Sequence, residues 1–567
     1  MSDHFRVLGI HDNHNASVSL LEDGAIVFSL QEERLNGIKN FNGFPSRAVH
    51  RALDFAQITL DDIDLFAFGT VHNPAWKDTA AQIRQYSAPT WKKYLADGFK
   101  ASPFFSLYTA KRARQRQKFL ATQGIPADRT RFYDHNLTHA ATALCCSGFY
   151  GTPALILALD GGGDGNCAGV YTSRDGDLAK VAVTKEGNSV GNLYAVSTFY
   201  MGMMPLEHEY KLMGMAPYSQ PKYYEGMSRA LDHILSVDGL TFRRSTVATT
   251  SNSFRALEAI YRRQRFDAVC AALQDFTERS VTRWVQNAIA ATGLHRICLS
   301  GGVFMNVKLN KLIASLPGVE ELFVMPSCGD ESNAMGAAFL AYKEHCAALG
   351  TDPVIHPLSH LYLGEAFGDE TIRSECRNAG YTFEKDGNIN RFVAEMLNQN
   401  RIVARCSGRS EWGARALGNR SILANPKSFE TVSKINDAIK MRDFWMPFAG
   451  SVMEEAAGRY LVNPRKIPSP YMMLAFDTTR ERESIRAATH PRDRTIRPQI
   501  LPREQNPDYH AIISEFSRMT GTGCVLNTSF NLHGSPMVYH PREALETLTK
   551  SDLDILVMGD YVIRKET

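Results

Sequence analysis

No stretch of the 567-residue chain is apolar for long enough to span a bilayer. Runs such as Ala154–Leu159 fall far short of the ~20 residues a helix needs, so no membrane attachment is expected. The N-terminal stretch also lacks a charged region leading into a long apolar core, and no secretory signal is expected. The ten cysteines form no Cys-x-x-Cys pair and only Cys145 and Cys146 are neighbours. In a chain this large that pattern predicts reduced thiols and a cytoplasmic protein rather than a disulfide framework. An excess of one charge is missing too. Sixty-three Lys+Arg against 60 Asp+Glu leave +3, which gives no electrostatic case for nucleic acid. No short-period repeat is evident. What remains is globular composition, 44% hydrophobic and 22% charged, at a length suited to several domains or two large ones.

The chain opens with three short apolar runs, Arg6–Ile10, His14–Leu21 and Ala25–Leu30. Glu22-Asp23-Gly24 has hairpin turn chemistry. Residues 46–120 show helical spacing and include the basic run Lys111–Lys118, which reads as a solvated helix face. Pro153–Leu159 and Arg296–Leu299 read as buried strands running into glycine-rich loops, and strands alternating with helices predict an α/β architecture. The Ser/Thr-rich stretch Thr241–Ser253 reads as a loop or a frayed insertion. Gly350, Asp352, Pro353 and Pro357 read as a linker, followed by a strand-like Leu361–Leu363. The expected domains are 1–355 and 356–567, the second rich in arginine.

Two constellations stand out. His135 and His139 lie four apart in a helix-compatible segment, which puts both imidazoles on one face, as a metal requires of two nitrogen ligands. Asp330, expected at the C-terminal end of a strand, is the candidate third ligand. Mixed N/O ligation suits Fe, Zn or Mn without choosing among them. Two histidines at this spacing also occur in purely structural helices. The second constellation is a set of glycine loops, Asp160-Gly161-Gly162-Gly163-Asp164-Gly165 and Ser300-Gly301-Gly302-Val303, joined by Asp12–Ser17. Backbone N–H groups in such loops can approach a phosphate closely. Each loop alone is equally well an ordinary tight turn.

The ordered motifs then carry a resemblance. They include His14-Asn-Ala-Ser17, His135-Asn-Leu-Thr-His139, Lys211-Leu-Met-Gly-Met-Ala-Pro217, Ser300-Gly-Gly-Val-Phe-Met-Asn306 and Gly329-Asp-Glu-Ser-Asn-Ala-Met-Gly336. In the second half they include Glu411-Trp-Gly-Ala-Arg415, Lys440-Met-Arg442, Thr495-Ile-Arg497 and Asn527-Thr-Ser529-Phe-Asn531. The chain resembles the O-carbamoyltransferases of the NodU/CmcH type over nearly its full length. The resemblance implies an α/β protein with an N-terminal actin-like ATPase (Kae1-like) domain and a C-terminal YrdC-like α/β domain. It departs from the usual pattern at Asn15, Met446, Gly450 and Ser535.

It further implies carbamoyl phosphate and ATP as substrates, with Mg²⁺ on the ATP. The C-terminal domain would form carbamoyl-AMP, using Arg415, Lys440, Arg442, Arg497 and Ser529, with Asn527 and Asn531 binding nucleotide. Arginine suits this chemistry because its planar fork grips phosphate in two hydrogen bonds and keeps its charge. The N-terminal domain would hold the adenylate through Asp160–Asp164, Lys211, Gly301, Gly302 and Asn306, and one Fe or other divalent metal through His135, His139 and Asp330. His14 is the candidate general base for a hydroxyl acceptor, expected to be a small natural-product molecule. A threonylcarbamoyl-type tRNA-modifying enzyme is the alternative, disfavoured by the near-neutral charge, and no nucleic acid is expected as a partner. A homodimer is left open.

Overall fold

A computed structural model describes residues 4–72 and 104–565, together with 86, 98 and 99. The remainder of the helical segment read from 46 to 120 lies outside the described residues. The chain divides into two compact units, one of residues 1–32 and 40–358, the other of residues 33–39 and 359–567.

The first unit holds two five-stranded sheets. One is formed by β1 (Arg6–His11), β2 (Ser17–Glu22), β3 (Ala25–Gln31), β4 (Leu65–Phe68) and β5 (Thr130–Phe132), in the order β3-β2-β1-β4-β5. The other is formed by β6 (Ala154–Gly163), β7 (Asn166–Ser173), β8 (Leu178–Lys185), β11 (Arg296–Ser300) and β12 (Glu321–Val324), in the order β8-β7-β6-β11-β12. In each sheet three successive strands form an antiparallel meander, and two later strands extend it in parallel from the other side of the first. Identical order and sense mean one motif used twice, as the resemblance to an actin-like fold implies. Between β2 and β3, Asp23 and Gly24 both adopt positive φ, 45° and 85°, the two-residue turn whose twist suits a hairpin.

Two helices, His135–Cys146 and Asn333–Leu349, pack on each other. A Cβ on Gly336 would stand 2.0 Å from the Thr138 carbonyl oxygen, so this close approach requires glycine. The alanines of the first helix lie against Ile156 and Ala158 of β6, which buries nearly the whole helix, both histidines included.

Several sequence expectations need correction. β4 interrupts the segment read as helical. Thr241–Arg244 is a strand, β10, paired with β9 (Leu235–Asp238), so the Ser/Thr-rich stretch begins in a hairpin. β6 continues through Gly163, and only Asp164-Gly165 forms the turn into β7. The glycine stretch is the tip of a hairpin, with Gly163 paired to Asn166. In the basic run, Arg116 is buried rather than solvated. Its guanidinium donates to both oxygens of Asp12, at 3.0 and 2.5 Å, and to Thr70. Burial lifts the Asp12 carboxyl above its ordinary range even beside this cation. Arg116→Leu removes the cation that faces that buried carboxylate and is expected to cost about 3–5 kcal/mol in urea unfolding. Adding Asp12→Asn is expected to recover most of the loss.

The second unit is built on a mixed eight-stranded sheet. Its strands are β13 (Phe383–Lys385), β14 (Val403–Cys406), β15 (Arg420–Ala424), β16 (Ala449–Met453), β19 (Pro498–Leu501), β20 (Cys524–Ser529), β21 (Ile555–Met558) and β22 (Tyr561–Arg564). The order is β13-β22-β21-β14-β15-β20-β16-β19, and a separate two-stranded ribbon pairs β17 (Leu461–Val462) with β18 (Asp477–Thr478). The two faces of the large sheet are covered by separate apolar clusters, one including Ile422, Leu526 and Phe530, the other Leu423, Val525 and Phe516. Alternate residues of β15 and β20 thus face opposite cores, as the two-residue period of a strand dictates. Leu361–Leu363 is buried but is not a strand. All ten cysteines are free and buried. No described helix is long and apolar enough to cross a membrane.

Candidate active site

In the first unit, Asp134 caps the helix His135–Cys146 by accepting from Leu137 N. The cap fixes the helix start one residue before His135, and the four-residue spacing places His135 and His139 side by side with ring centroids 4.8 Å apart. Asp330 lies in the turn ahead of the Asn333–Leu349 helix. Its Oδ1 lies 3.4 Å from His135 Nε2 and 3.6 Å from His139 Nε2. Asp160, expected to face phosphate, brings Oδ2 to 3.4 Å from the same His135 nitrogen. One ligand atom from each of these four side chains lies within 4.8 Å of the other three.

Two buried imidazoles and two partly buried carboxylates converge in a donor set that fits a divalent transition metal. Outer groups orient them. His139 Nδ1 lies 3.2 Å from Ser300 Oγ at the end of β11, and the Asn333 amide lies 3.3 Å from His135 Nδ1. Asn333 Oδ1 is buried without a hydrogen-bond partner. A metal on His135 Nε2 leaves the proton on Nδ1, and an Asn333 amide turned to present its oxygen would accept it. Burial opposes charge on His135, but Asp330 and Asp160 outweigh it and hold its pKa well above the ordinary value. Burial also opposes ionisation of Asp330, and the neighbouring histidines overcome it, holding that carboxyl well below its usual range.

The glycine hairpin lies directly on this cluster. A Cβ on Gly163 would come within 2.3 Å of the His135 ring. Gly302 N donates to Asp160 Oδ1 at 3.0 Å, just beyond the Gly301 turn, and Gly162 N donates to Asp160 Oδ2 at 3.2 Å. Gly161 O accepts from Asn192. Two expected nucleotide contacts, Asp164 and Asn306, already have partners within the protein. Asp164 accepts from the backbone N–H groups of Val71, His72 and His135 and pairs with His72 Nδ1 at 2.8 Å, so it braces the hairpin. Asn306 caps the helix Val307–Ala314, and its amide exchanges hydrogen bonds with Gln274 at 2.9 and 3.1 Å.

His14 lies in the loop after β1, where its backbone bridges to Asn42. The departure at Asn15 has a local reason. Its φ is 57°, a region asparagine tolerates, and its amide donates to Glu331 Oε2 at 3.4 Å, where an aspartate would repel. Lys211 stands in the helix Glu209–Met215. Burial raises the adjacent Glu209 carboxyl from 4.5 to about 7. The unfolded chain therefore releases this proton earlier than the folded chain, and stability falls as pH rises between those two values. Glu209→Gln is expected to raise stability by about 1–3 kcal/mol at pH 8 and to be neutral at pH 4, read from melting curves.

In the second unit, Arg415, Arg442 and Arg497 line one pocket with Asn527, Thr528 and Ser529. Burial, then Arg415 and Arg442, pushes the Arg497 guanidinium well below its ordinary pKa. Three cations held this close favour a bound polyanion. The loop carrying Arg415 wraps the buried Glu411, whose Oε1 accepts from the backbone N–H groups of Leu417, Asn419 and Arg420. Arg442 donates to Thr528 at 3.1 Å. Lys440 is buried and donates to Asn531 Oδ1 at 2.6 Å and Ser529 Oγ at 3.2 Å. Burial and the Arg442 charge hold its pKa well below the ordinary value. Asn527 donates to Ala416 O and Ser451 Oγ, which fixes it in the pocket wall.

The arginine richness of this unit has a second cause. Arg420 donates to the carbonyls of Tyr539, Ser407, Gly408, Asn419 and Glu365. Arg405 and Arg409 likewise hold Gly418 and Gly364. These three tie loops together, and phosphate does not account for them. Sequence reasoning missed His11, Ser300 and Asn333 around the cluster of His135, His139, Asp160 and Asp330. The signal available was position, since His11 and Ser300 end β1 and β11, where an α/β crevice opens.

Comparison with known proteins finds relatives over most of the chain. The family model Carbamoyltransferase N-terminus matches residues 6–339, and Carbamoyltransferase C-terminus matches residues 394–565. Nodulation protein NolNO of Sinorhizobium fredii (strain NBRC 101917 / NGR234) is 31% identical over 564 residues, covering 98% of this chain and 79% of that protein. Nodulation protein U of Bradyrhizobium diazoefficiens is 24% identical over 560 residues, covering 93% of this chain and 92% of that protein. Among solved structures, full-length HypF in its phosphate- and nucleotide-bound form aligns with a TM-score of 0.37 and 12% identity, over 59% of this chain and 46% of that one. Both halves of the family match in order and nearly end to end, and the chain belongs to the carbamoyltransferases.

Proposed function

We propose that this carbamoyltransferase divides an ATP-dependent O-carbamoyl transfer into two reactions, one in each unit. In the second unit (residues 356–567 of the sequence reading), carbamoyl phosphate, water and ATP yield carbamoyl-AMP, pyrophosphate and phosphate. Water cleaves the phosphate from carbamoyl phosphate, and the carbamate oxygen then attacks the α-phosphorus of ATP and expels pyrophosphate. In the first unit (residues 1–355), an acceptor hydroxyl attacks the carbamoyl carbon, AMP leaves, and the hydroxyl proton passes to a base, for which His14 is the candidate.

The observation that carries this reading is the Arg415/Arg442/Arg497 pocket, because joining two phosphate-bearing anions demands concentrated, fixed positive charge. Arg442 is steadied by Thr528, and Lys440 by Asn531 and Ser529, so the cationic groups are held before substrate arrives. In the first unit, His135, His139, Asp160 and Asp330 would hold a divalent metal, Fe among the candidates. When bound, it would supply positive charge for the adenylate phosphate or polarise the carbamoyl carbonyl. The Gly161–Gly163 hairpin and the Gly301-Gly302 turn lie against this cluster, where Gly162 N and Gly302 N hold the Asp160 carboxylate in place. The acceptor is a hydroxylated small molecule.

The test is a pair of separable partial reactions. Incubation with ATP, Mg²⁺ and carbamoyl phosphate, without acceptor, is expected to yield carbamoyl-AMP and pyrophosphate. Purified carbamoyl-AMP with a hydroxylated acceptor is expected to yield AMP without ATP. A protein that supports neither partial reaction contradicts the reading.

A further inference from the structure

His11 ends β1 and is fully buried, at 0% exposure. Neither of its ring nitrogens has a hydrogen-bond partner. Buried nitrogens without partners are costly, and native proteins rarely leave such groups without an ion, a water or a catalytic task to explain them. The ring is directed at the metal cluster. Its Nε2 lies 3.8 Å from Asp330 Oδ2, and its centroid lies 6.0 Å from that of His135. Asp330 turns its other oxygen, Oδ1, to His135 and His139. His11 therefore approaches the cluster from the side of Asp330 that the helix histidines leave open.

We infer that His11 is a fifth protein ligand of this centre, so that the chain offers three imidazoles and two carboxylates to one ion. The inference rests on reading His135, His139, Asp160 and Asp330 as a metal site. Two donors each about 2.1 Å from one ion lie at most about 4.2 Å apart. His11 Nε2 meets that span with Asp330 Oδ2, at 3.8 Å, while it stands outside the four side chains whose ligand atoms lie within 4.8 Å of one another, so its ring closes on the ion by a side-chain adjustment. A neutral imidazole with no competing partner gives up no existing hydrogen bond on coordinating. A third nitrogen also tilts the site away from Mg²⁺, which prefers oxygen, towards Fe, Co or Zn.

The test uses the full chain stripped with a chelator, then titrated with Zn²⁺ against a chromophoric competitor and with Co²⁺ followed by visible absorption. His11→Ala is expected to weaken Zn²⁺ binding at least about 10-fold. It is also expected to change the Co²⁺ spectrum, because a nitrogen leaves the coordination sphere. His11→Asn, closer in size, serves if His11→Ala does not fold. Equal melting temperatures of the stripped proteins establish that a folded variant is being compared. Unchanged affinity and spectrum overturn the inference. Weakened affinity with an unchanged spectrum overturns it too, since His11 would then act only by positioning Asp330. Failure of the metal reading itself looks different: the unsubstituted protein and His139→Ala would then both fail to bind either ion.

Discussion

Arg415→Ala is expected to lose about 1,000-fold in carbamoyl-AMP formation while the transfer of added carbamoyl-AMP to acceptor survives. Phosphoryl and adenylyl transfer leave a protein little covalent work. Charge neutralisation and alignment carry the rate, so deleting one of three clustered guanidiniums removes a large share of it. The pocket makes Arg415 the sharpest choice. Its loop is held by three backbone N–H bonds to Glu411, and a substitution at 415 removes the charge without removing that frame. Arg442→Ala is expected to act in the same direction but to disturb Thr528 as well. Arg415→Lys restores charge without the fork, and is expected to recover only part of the loss. Mass spectrometry of carbamoyl-AMP and pyrophosphate reads all three variants. Equal loss of both partial reactions in Arg415→Ala would show that the arginines serve the whole protein rather than one step.

His139→Ala is expected to do the reverse. Adenylate formation continues, and transfer to acceptor falls at least about 100-fold, with metal content falling in parallel. His139 faces Asp330 with one nitrogen and Ser300 with the other, so its ring orientation is fixed from both sides. Removing it leaves Asp330 and Asp160, two partly buried carboxylates, with one fewer partner, so a modest drop in melting temperature accompanies the effect. Metal content by elemental analysis and single-turnover transfer from added carbamoyl-AMP are the readouts. Retained transfer with metal lost would separate the cluster from the chemistry.

The parts of the fold that follow local rules were open to sequence reasoning. The first hairpin was readable because Asp23-Gly24 sits between alternating apolar runs, and the metal-cluster helix because Asp134 precedes a periodic, alanine-rich segment. The arginines of the pocket were readable only through motif resemblance. Their composition misleads, since Arg405, Arg409 and Arg420 hold carbonyls in the same unit. Long-range pairings were hidden. Nothing near Arg116 announces Asp12, 104 residues away, and a basic run on a helix has the pattern of a solvated face until tertiary contact overrides it. Asp160 and Asp164 read as one phosphate loop, yet the hairpin turns the first towards His135 and the second towards His72. The role of each follows from strand pairing through Gly163, a feature that no local glycine count reveals.

The most direct measurement leaves out the acceptor. The unsubstituted protein, Arg415→Ala and His139→Ala are each incubated with Mg²⁺, ATP and carbamoyl phosphate, and carbamoyl-AMP, pyrophosphate and AMP are quantified by mass spectrometry. Adenylate formed by the unsubstituted protein and by His139→Ala, but not by Arg415→Ala, is the predicted result. No adenylate from carbamoyl phosphate, with one formed instead from threonine and bicarbonate, would contradict the account and identify a threonylcarbamoyl enzyme.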